Sequence, residues 1–151
     1  MPRAAYPDAL AFARADDVEN AFYEALQNAD VELMMSLWAD EEEVVCVLPG
    51  GMRIVGVQAI RNAVETLFGR GAVMVRAHEV RRVETMGSAM HSVIEAIEMP
   101  SDEGPMTMHA VATNVYHKGP RGWRMVAHHT SPFSQEAPTE MIAVPPASAL
   151  H

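Results

Sequence analysis

Apolar residues recur at offsets of three and four along Val18, Ala21, Phe22, Ala25, Leu26 and Ala29. That period belongs to a helix with one buried face. Asp16 followed by Glu19 resembles a capping box that would open it, with Asp in the Ser/Thr role. Asp30 is positioned to cap a second, shorter helix whose buried stripe is Leu33, Met34, Leu37 and Trp38. Residues 39–43 read as an acidic turn. Residues 44–48 form a short β-branched run stopped by Pro49-Gly50-Gly51, and residues 52–55 can pair back on it before Gly56. A third helix follows, with Val57, Ile60, Val64, Leu67 and Phe68 on one face and glycines at 69 and 71 closing it.

The pattern then changes to strand. Residues 73–83, 89–99, 106–117 and 123–133 are separated by hairpin-length connections at 86–88, 101–105 and 118–122. Helices first and long strands afterwards predict an α+β domain, with three N-terminal helices packed over a curved antiparallel sheet. Residues 1–15 read as an arm and residues 134–151, with Pro138, Pro145 and Pro146, as a flexible or surface-draped tail.

Composition narrows the functions available. A length of 151 residues suits one domain. The net charge of -9 repels phosphate backbones and anionic lipid, so neither nucleic acid nor membrane is an expected partner. No apolar run is long enough to span a bilayer, and Pro and Asp interrupt the N-terminus before a signal-peptide core develops. Cys46 is the single cysteine, which excludes an internal disulfide and is compatible with a reducing cytoplasm. Twelve Met residues slightly favour an adaptable apolar pocket, although plain core filling is the commoner reason for them.

The order of these elements, together with short motifs, resembles the nuclear transport factor two-like superfamily, which includes SnoaL-like polyketide cyclases and ketosteroid isomerases. The residues carrying the resemblance are Leu37-Trp38-Ala39-Asp40, Val47-Leu48-Pro49-Gly50-Gly51, Gly56, Val115-Tyr116-His117, Trp123-Arg124-Met125-Val126 and His128-His129-Thr130-Ser131-Pro132. They span about residues 16–133. The last two strands are also similar to the association domain of calcium/calmodulin-dependent protein kinase type II. That domain ends in His-x-His-x-Ser; here Ala127 replaces the first His, and His129 and Ser131 keep the rest. The resemblance implies a cone-shaped sheet, a pocket between sheet and helices, and a homodimer formed through the outer face of the sheet.

Strand alternation sorts the side chains. If a five-residue loop at 118–122 pairs His117 with Trp123, then Ala110, Ala112, Asn114, Tyr116, Val126, His128 and Thr130 share one face. Val111, Thr113, Val115, Met125, Ala127, His129 and Ser131 share the other. The resemblance points the first set into the cone. Val93, Glu95 and Ile97 share a face, so Glu95 is a carboxylate between apolar neighbours, which is costly unless it is paired or neutral. A candidate pocket therefore has Glu95, Asn114, Tyr116, His128 and Thr130 as polar groups and Phe22, Trp38, Ile60 and Val64 as walls. The plainer reading turns Glu95 toward solvent or a dimer partner and leaves His128, Trp38 and Phe22 as core.

Ketosteroid isomerase chemistry needs a carboxylate base and an oxyanion-binding Tyr. By the resemblance those positions fall on Leu48 and at or near Phe22, and neither has the required atom. Tyr23 is adjacent, but one helical step turns a side chain by about 100°. Glu95 and His128 remain as a possible acid–base pair. His128 and His129 point to opposite faces, and His109 and His129 lack a carboxylate or Cys at ligand spacing, so no metal site is expected. Pro49-Gly50-Gly51 is a turn and no phosphate-binding glycine loop is present, so no cofactor is expected. The sequence thus predicts a homodimeric domain binding a small apolar or amphipathic molecule, non-catalytic or weakly catalytic. A SnoaL-like cyclase, isomerase or dehydratase using Glu95 and His128 is one alternative. An oligomerisation module like the kinase association domain is another.

Overall fold

In the computed structural model, which describes residues 12–135 and 140–143, three helices cover one face of a curved sheet. The order is α1 (Ala15–Asn28), α2 (Val31–Leu37), β1 (Val45–Val47), β2 (Arg53–Val55), α3 (Val57–Gly69), β3 (Val75–Glu84), β4 (Ser88–Met99), β5 (Met106–Gly119) and β6 (Gly122–Thr130). The α+β class and the helices-first order agree with the sequence pattern. Residues 1–11, 136–139 and 144–151, which carry most of the expected arm and tail, lie outside the described residues.

Local chemistry sets the helix ends. Arg14 is the N-cap of α1, and its backbone N–H donates to Asp17 Oδ2 at 3.0 Å. The expected Asp16–Glu19 capping box does not form. Asp16 instead accepts from Arg82, and Glu19 is buried against the sheet. Helix α1 ends at Ala29 in the left-handed region (φ 50°), and the chain re-enters a helix at once because Asp30 Oδ1 accepts the Leu33 N–H at 3.0 Å. Gly56 opens α3 at φ 93°, a conformation that favours glycine, while its N–H donates to the Val44 carbonyl at 2.8 Å.

The six strands run β2-β1-β6-β5-β4-β3. All neighbours are antiparallel except β1 and β6, so the sheet is mixed and not purely antiparallel as the sequence suggests. The cause is connectivity. The β1–β2 hairpin precedes α3, yet it docks beside the last strand, with Cys46 opposite His128.

The β5–β6 connection corrects a second expectation. The turn contains only Pro120 and Arg121 between Gly119 and Gly122, so Lys118, not His117, pairs with Trp123. Further along, Val115 pairs with Ala127 but Tyr116 pairs with Met125, leaving Val126 as a bulge on β6. Each irregularity shifts the register by one residue. Beyond the bulge the expected parity returns, with Asn114 opposite His128 and Ala112 opposite Thr130. Next to the turn it does not: Met125, expected outside, is fully buried with Tyr116, and Val126 is half-buried.

The core lies between the helices and the concave face. Val18 and Phe22 of α1, Leu37 of α2 and Ile60 of α3 meet Val93 and Ala112 of the sheet, all with 2% exposure or less. Each such large apolar side chain contributes about 1.5–3 kcal/mol on burial. After β6 the described chain stays against the sheet, first where the Ser131 N–H donates to the Val111 carbonyl at 2.9 Å. Ser134 exchanges both backbone hydrogen bonds with His109 (2.7 and 2.8 Å), and Glu140 pairs with Arg81 at 2.6 Å.

Candidate functional site

Four elements bring polar side chains to one place on the concave face. The inward positions of β4 include His91, Val93, Glu95 and Ile97, those of β5 include Ala110, Ala112, Asn114 and Tyr116, and the end of β6 supplies His128 and Thr130. Glu95 is only 3% exposed, so it faces neither water nor, through water, a partner on the outer surface. Its two oxygens accept from Tyr23 Oη and Thr130 Oγ1, both at 2.7 Å. Asn114 Nδ2 donates to Tyr23 Oη at 3.3 Å, and His128 Nδ1 lies 2.5 Å from Asn114 Oδ1.

The direction of donation along this chain fixes the tautomer. The Asn114 amide nitrogen is used as a donor, so Asn114 Oδ1 accepts from His128 Nδ1–H. Burial holds the imidazole down at about 3, with the neighbouring His129 adding to the effect, and the ring is neutral. Nε2 is then its only acceptor. Burial raises the Glu95 carboxyl, and the nearby Glu19 charge adds to that, while the Tyr23 and Thr130 hydrogen bonds hold it back. Burial and the adjacent Glu95 push the Tyr23 phenol well up, keeping it protonated. The arrangement is a protonated phenol, a carboxyl whose pKa is raised by burial and a neutral imidazole within one connected network.

A cavity of about 270 Å³ opens beside it, lined by Glu95, His128 and Thr130 on one side. Leu26, Leu48, Leu67, Val75, Ile97 and Phe133 form apolar walls. Its size is near the lower end of the roughly 300–1,000 Å³ usual for small-molecule pockets. Phe22, Trp38, Ile60 and Val64 surround a different, apolar void of about 20 Å³, with Leu26, Leu48 and Leu67 lining both. Phe22 also packs on the His128 ring, centroids 4.6 Å apart. Asn114 lines neither space and acts through Tyr23 and His128. A larger cleft of about 560 Å³ lies between Asp40, Glu41 and the β5–β6 turn. It is seven residues along β5 from Glu95's partner Ala110, about 23 Å away, and does not include this network.

Tyr23 is the residue that sequence reasoning set aside. A single helical step from Phe22 separates the two, yet both are buried, because α1 sits in a concave sheet and buries a wide arc that takes in Ala21, Phe22, Tyr23, Ala25 and Leu26. Leu48 does line the cavity, where it offers no proton acceptor. Cys46 reads correctly as a buried thiol, held at about 12 chiefly by burial.

The family model for the SnoaL-like domain matches residues 16–135. The chain belongs to the SnoaL-like domain family. Among solved structures, this SnoaL-like chain is similar to a candidate calcium/calmodulin-dependent protein kinase type II association domain from Thiobacillus denitrificans. The two share 29% identity over 82% of this chain and 98% of that one, with a TM-score of 0.74. A candidate dehydratase of the NTF2-like family from Streptomyces avermitilis shares 27% identity over 83% and 98% of the two chains, with a TM-score of 0.70. An NTF2-like protein with a cystatin-like fold from Novosphingobium aromaticivorans, 15% identical over 77% of each chain with a TM-score of 0.63, supports the cone-shaped fold. No curated protein matches the chain.

The SnoaL-like domain carries a second polar cluster that the sequence reading did not single out. His91, fully buried on β4, places Nδ1 3.1 Å from Glu19 Oε1, and Tyr116 Oη donates to the same oxygen at 3.2 Å. Tyr116 therefore belongs with His91, whose ring it meets edge-on at 4.9 Å, rather than with the cavity. Asp16 and Glu84 approach His91 from the rim. Alternation along β4 was the available signal, since His91 shares the face of Val93 and Glu95. Among the described residues no helix is long and apolar enough to cross a membrane.

Proposed function

We propose that this SnoaL-like chain binds a small apolar or amphipathic molecule in the cavity bounded by Glu95, His128 and Thr130. The observation carrying this reading is the 270 Å³ cavity with apolar walls and polar groups gathered on one side. A ligand carbonyl or hydroxyl would meet the Glu95 carboxyl, the Thr130 hydroxyl and the Nε2 acceptor of His128, while its body lies against Leu26, Leu48 and Phe133. Phe22, Trp38, Ile60 and Val64 support the cavity from behind, and Asn114 and Tyr116 hold its polar partners. The domain would act as a homodimer through the outer face of the sheet. 2-Naphthol, an apolar body with one hydroxyl, is a suitable probe. It should raise the melting temperature of the wild-type chain and not that of Val73→Trp, which puts a large ring at Val73, another residue lining the cavity. Equal stabilisation of both proteins would put the ligand elsewhere.

A second reading is acid–base catalysis of dehydration, isomerisation or cyclisation. Its support is a buried carboxyl with a raised pKa close to a neutral imidazole, together with 27% identity to a candidate dehydratase. In a dehydration, His128 Nε2 would accept the proton next to a carbonyl and protonated Glu95 would give one to the departing hydroxyl. Glu95→Gln should then abolish turnover of a β-hydroxy ketone while leaving the melting temperature within a few degrees. The likeness to a kinase association domain supports assembly beyond a dimer; light scattering giving a plain dimer mass removes that reading.

A further inference from the structure

We infer that the His91 cluster is a site for a divalent transition-metal ion, held by His91 Nε2 with the carboxylates of Asp16 and Glu84. The decisive feature is a lone nitrogen. His91 is fully buried, and its Nε2 has no hydrogen-bond partner. Glu19 Oε1 accepts from Nδ1, which places the lone pair of a neutral ring on Nε2. That lone pair faces Glu84 Oε1 at 3.5 Å and Asp16 Oδ1 at 3.8 Å. Two carboxylates facing this nitrogen call for a cation between them, either a proton on Nε2 or a metal ion in its place. Two bonds of about 2.1 Å span a separation like 3.5 Å at an angle of roughly 110°, close to the tetrahedral geometry of zinc. Asp16 and His91 also bring ligand atoms within 4.8 Å of each other and of Glu19, while Glu84 reaches the site through its contact with Nε2 alone.

The surroundings suit such a site. Glu19 on the far ring nitrogen, itself held by Tyr116 Oη, is the carboxylate–histidine arrangement that orients metal-binding imidazoles. The side chains of Asp16 and Glu84 are 30% and 52% exposed, so an ion can enter from solvent. One imidazole with carboxylates favours zinc-like ions over calcium, which takes oxygen ligands alone. The competitor is Arg82, whose Nε donates to Asp16 Oδ1 at 2.9 Å. Its side chain is 43% exposed and can swing into water when a metal arrives. A bound ion would tie the start of α1 to the β3–β4 hairpin.

The test is calorimetric titration of the full chain, dialysed against chelator, with zinc chloride, and cobalt(II) absorbance as a second probe. One ion should bind per chain. His91→Gln should abolish uptake, Glu84→Gln should weaken it at least tenfold, and Arg82→Met should tighten it. His117→Gln, on the exposed β5 end, should leave it unchanged. If His91→Gln does not fold, the exposed Glu84 decides through its own variant. The proposal is overturned if no saturable binding occurs at micromolar zinc, or if binding persists unchanged in the Glu84 and His91 variants. In either case His91 is an imidazolium bridging carboxylates, with no metal.

Discussion

The concave face carries two buried histidines, 37 positions apart in sequence by their numbers, whose environments drive them in opposite directions. His128 has a neutral amide as its partner, so burial wins and the ring stays uncharged. Burial lowers His91 too, but the Glu19 hydrogen bond and the carboxylates of Glu19, Glu84 and Asp16 outweigh it and the net shift is upward. Burial alone therefore does not set the charge of a histidine; the identity of the atom opposite its ring nitrogens does. The same contrast separates the roles of the clusters. One shares its polar groups with a cavity, and the other spends them on joining α1 to the sheet near solvent.

The contrast can be broken most forcefully at Glu19. Glu19→Ala removes the partner of both His91 and Tyr116 inside the protein. It should cost about 3–5 kcal/mol in chemical denaturation, the scale for unpairing a buried charge. Tyr23→Phe strikes the other cluster, leaving Glu95 and Asn114 each short of a partner. A loss of about 1–3 kcal/mol is expected, together with weaker 2-naphthol stabilisation. If Tyr23→Phe costs more than Glu19→Ala, the second cluster is not the more strongly charged of the two.

Acid and base titrations sharpen the comparison further. In the folded chain His128 titrates near 3, against 6.5 for an ordinary ring. Between those values the unfolded chain binds the additional proton, so this contribution is present above about pH 6.5 and is lost as pH falls toward 3. The slope reaches at most about 1.4 kcal/mol per pH unit. For His91 the folded value lies above 6.5, so its contribution is full below that pH and is lost as pH rises through the folded value. Stability measured across pH should show His128→Gln flattening the acid limb and His91→Gln flattening the neutral-to-basic limb. Flattening of the same limb by both would end the distinction. The smallest effect belongs to Arg82→Met at the rim, where a half-exposed pair with Asp16 should contribute less than about 1 kcal/mol without metal.

Much of this face was legible in the sequence because β4 and β5 are long and pair without a break over the whole of β4. Strict alternation on such strands grouped Glu95 with Val93 and Ile97 and Asn114 with Ala110 and Ala112, and the family resemblance supplied the inward direction. The helices were less legible. Glu19 looks like a capping residue, and only the sheet opposite reveals that it meets His91. Tyr23 lies outside the narrow apolar stripe, and only the curvature of the sheet around α1 brings it in. The parallel docking of β1 on β6 depends on three-residue segments far apart in the chain, too short to announce a partner. Both irregularities of β6 are local backbone events that no hydrophobic pattern records.

The bulge at Val126 works as a frame shift for side chains. Upstream of it odd-numbered Met125 points inward, and downstream even-numbered His128 and Thr130 do. Without the bulge, a strand of the same length would alternate strictly and put Met125 and His128 on opposite faces. Either the methionine or the His128–Thr130 pair would then be exported to the outer surface, and with the latter Glu95 would lose its Thr130 hydroxyl. The one extra residue at half-buried Val126 thus keeps two of the three polar groups of the cavity wall facing inward while Met125 stays in the core.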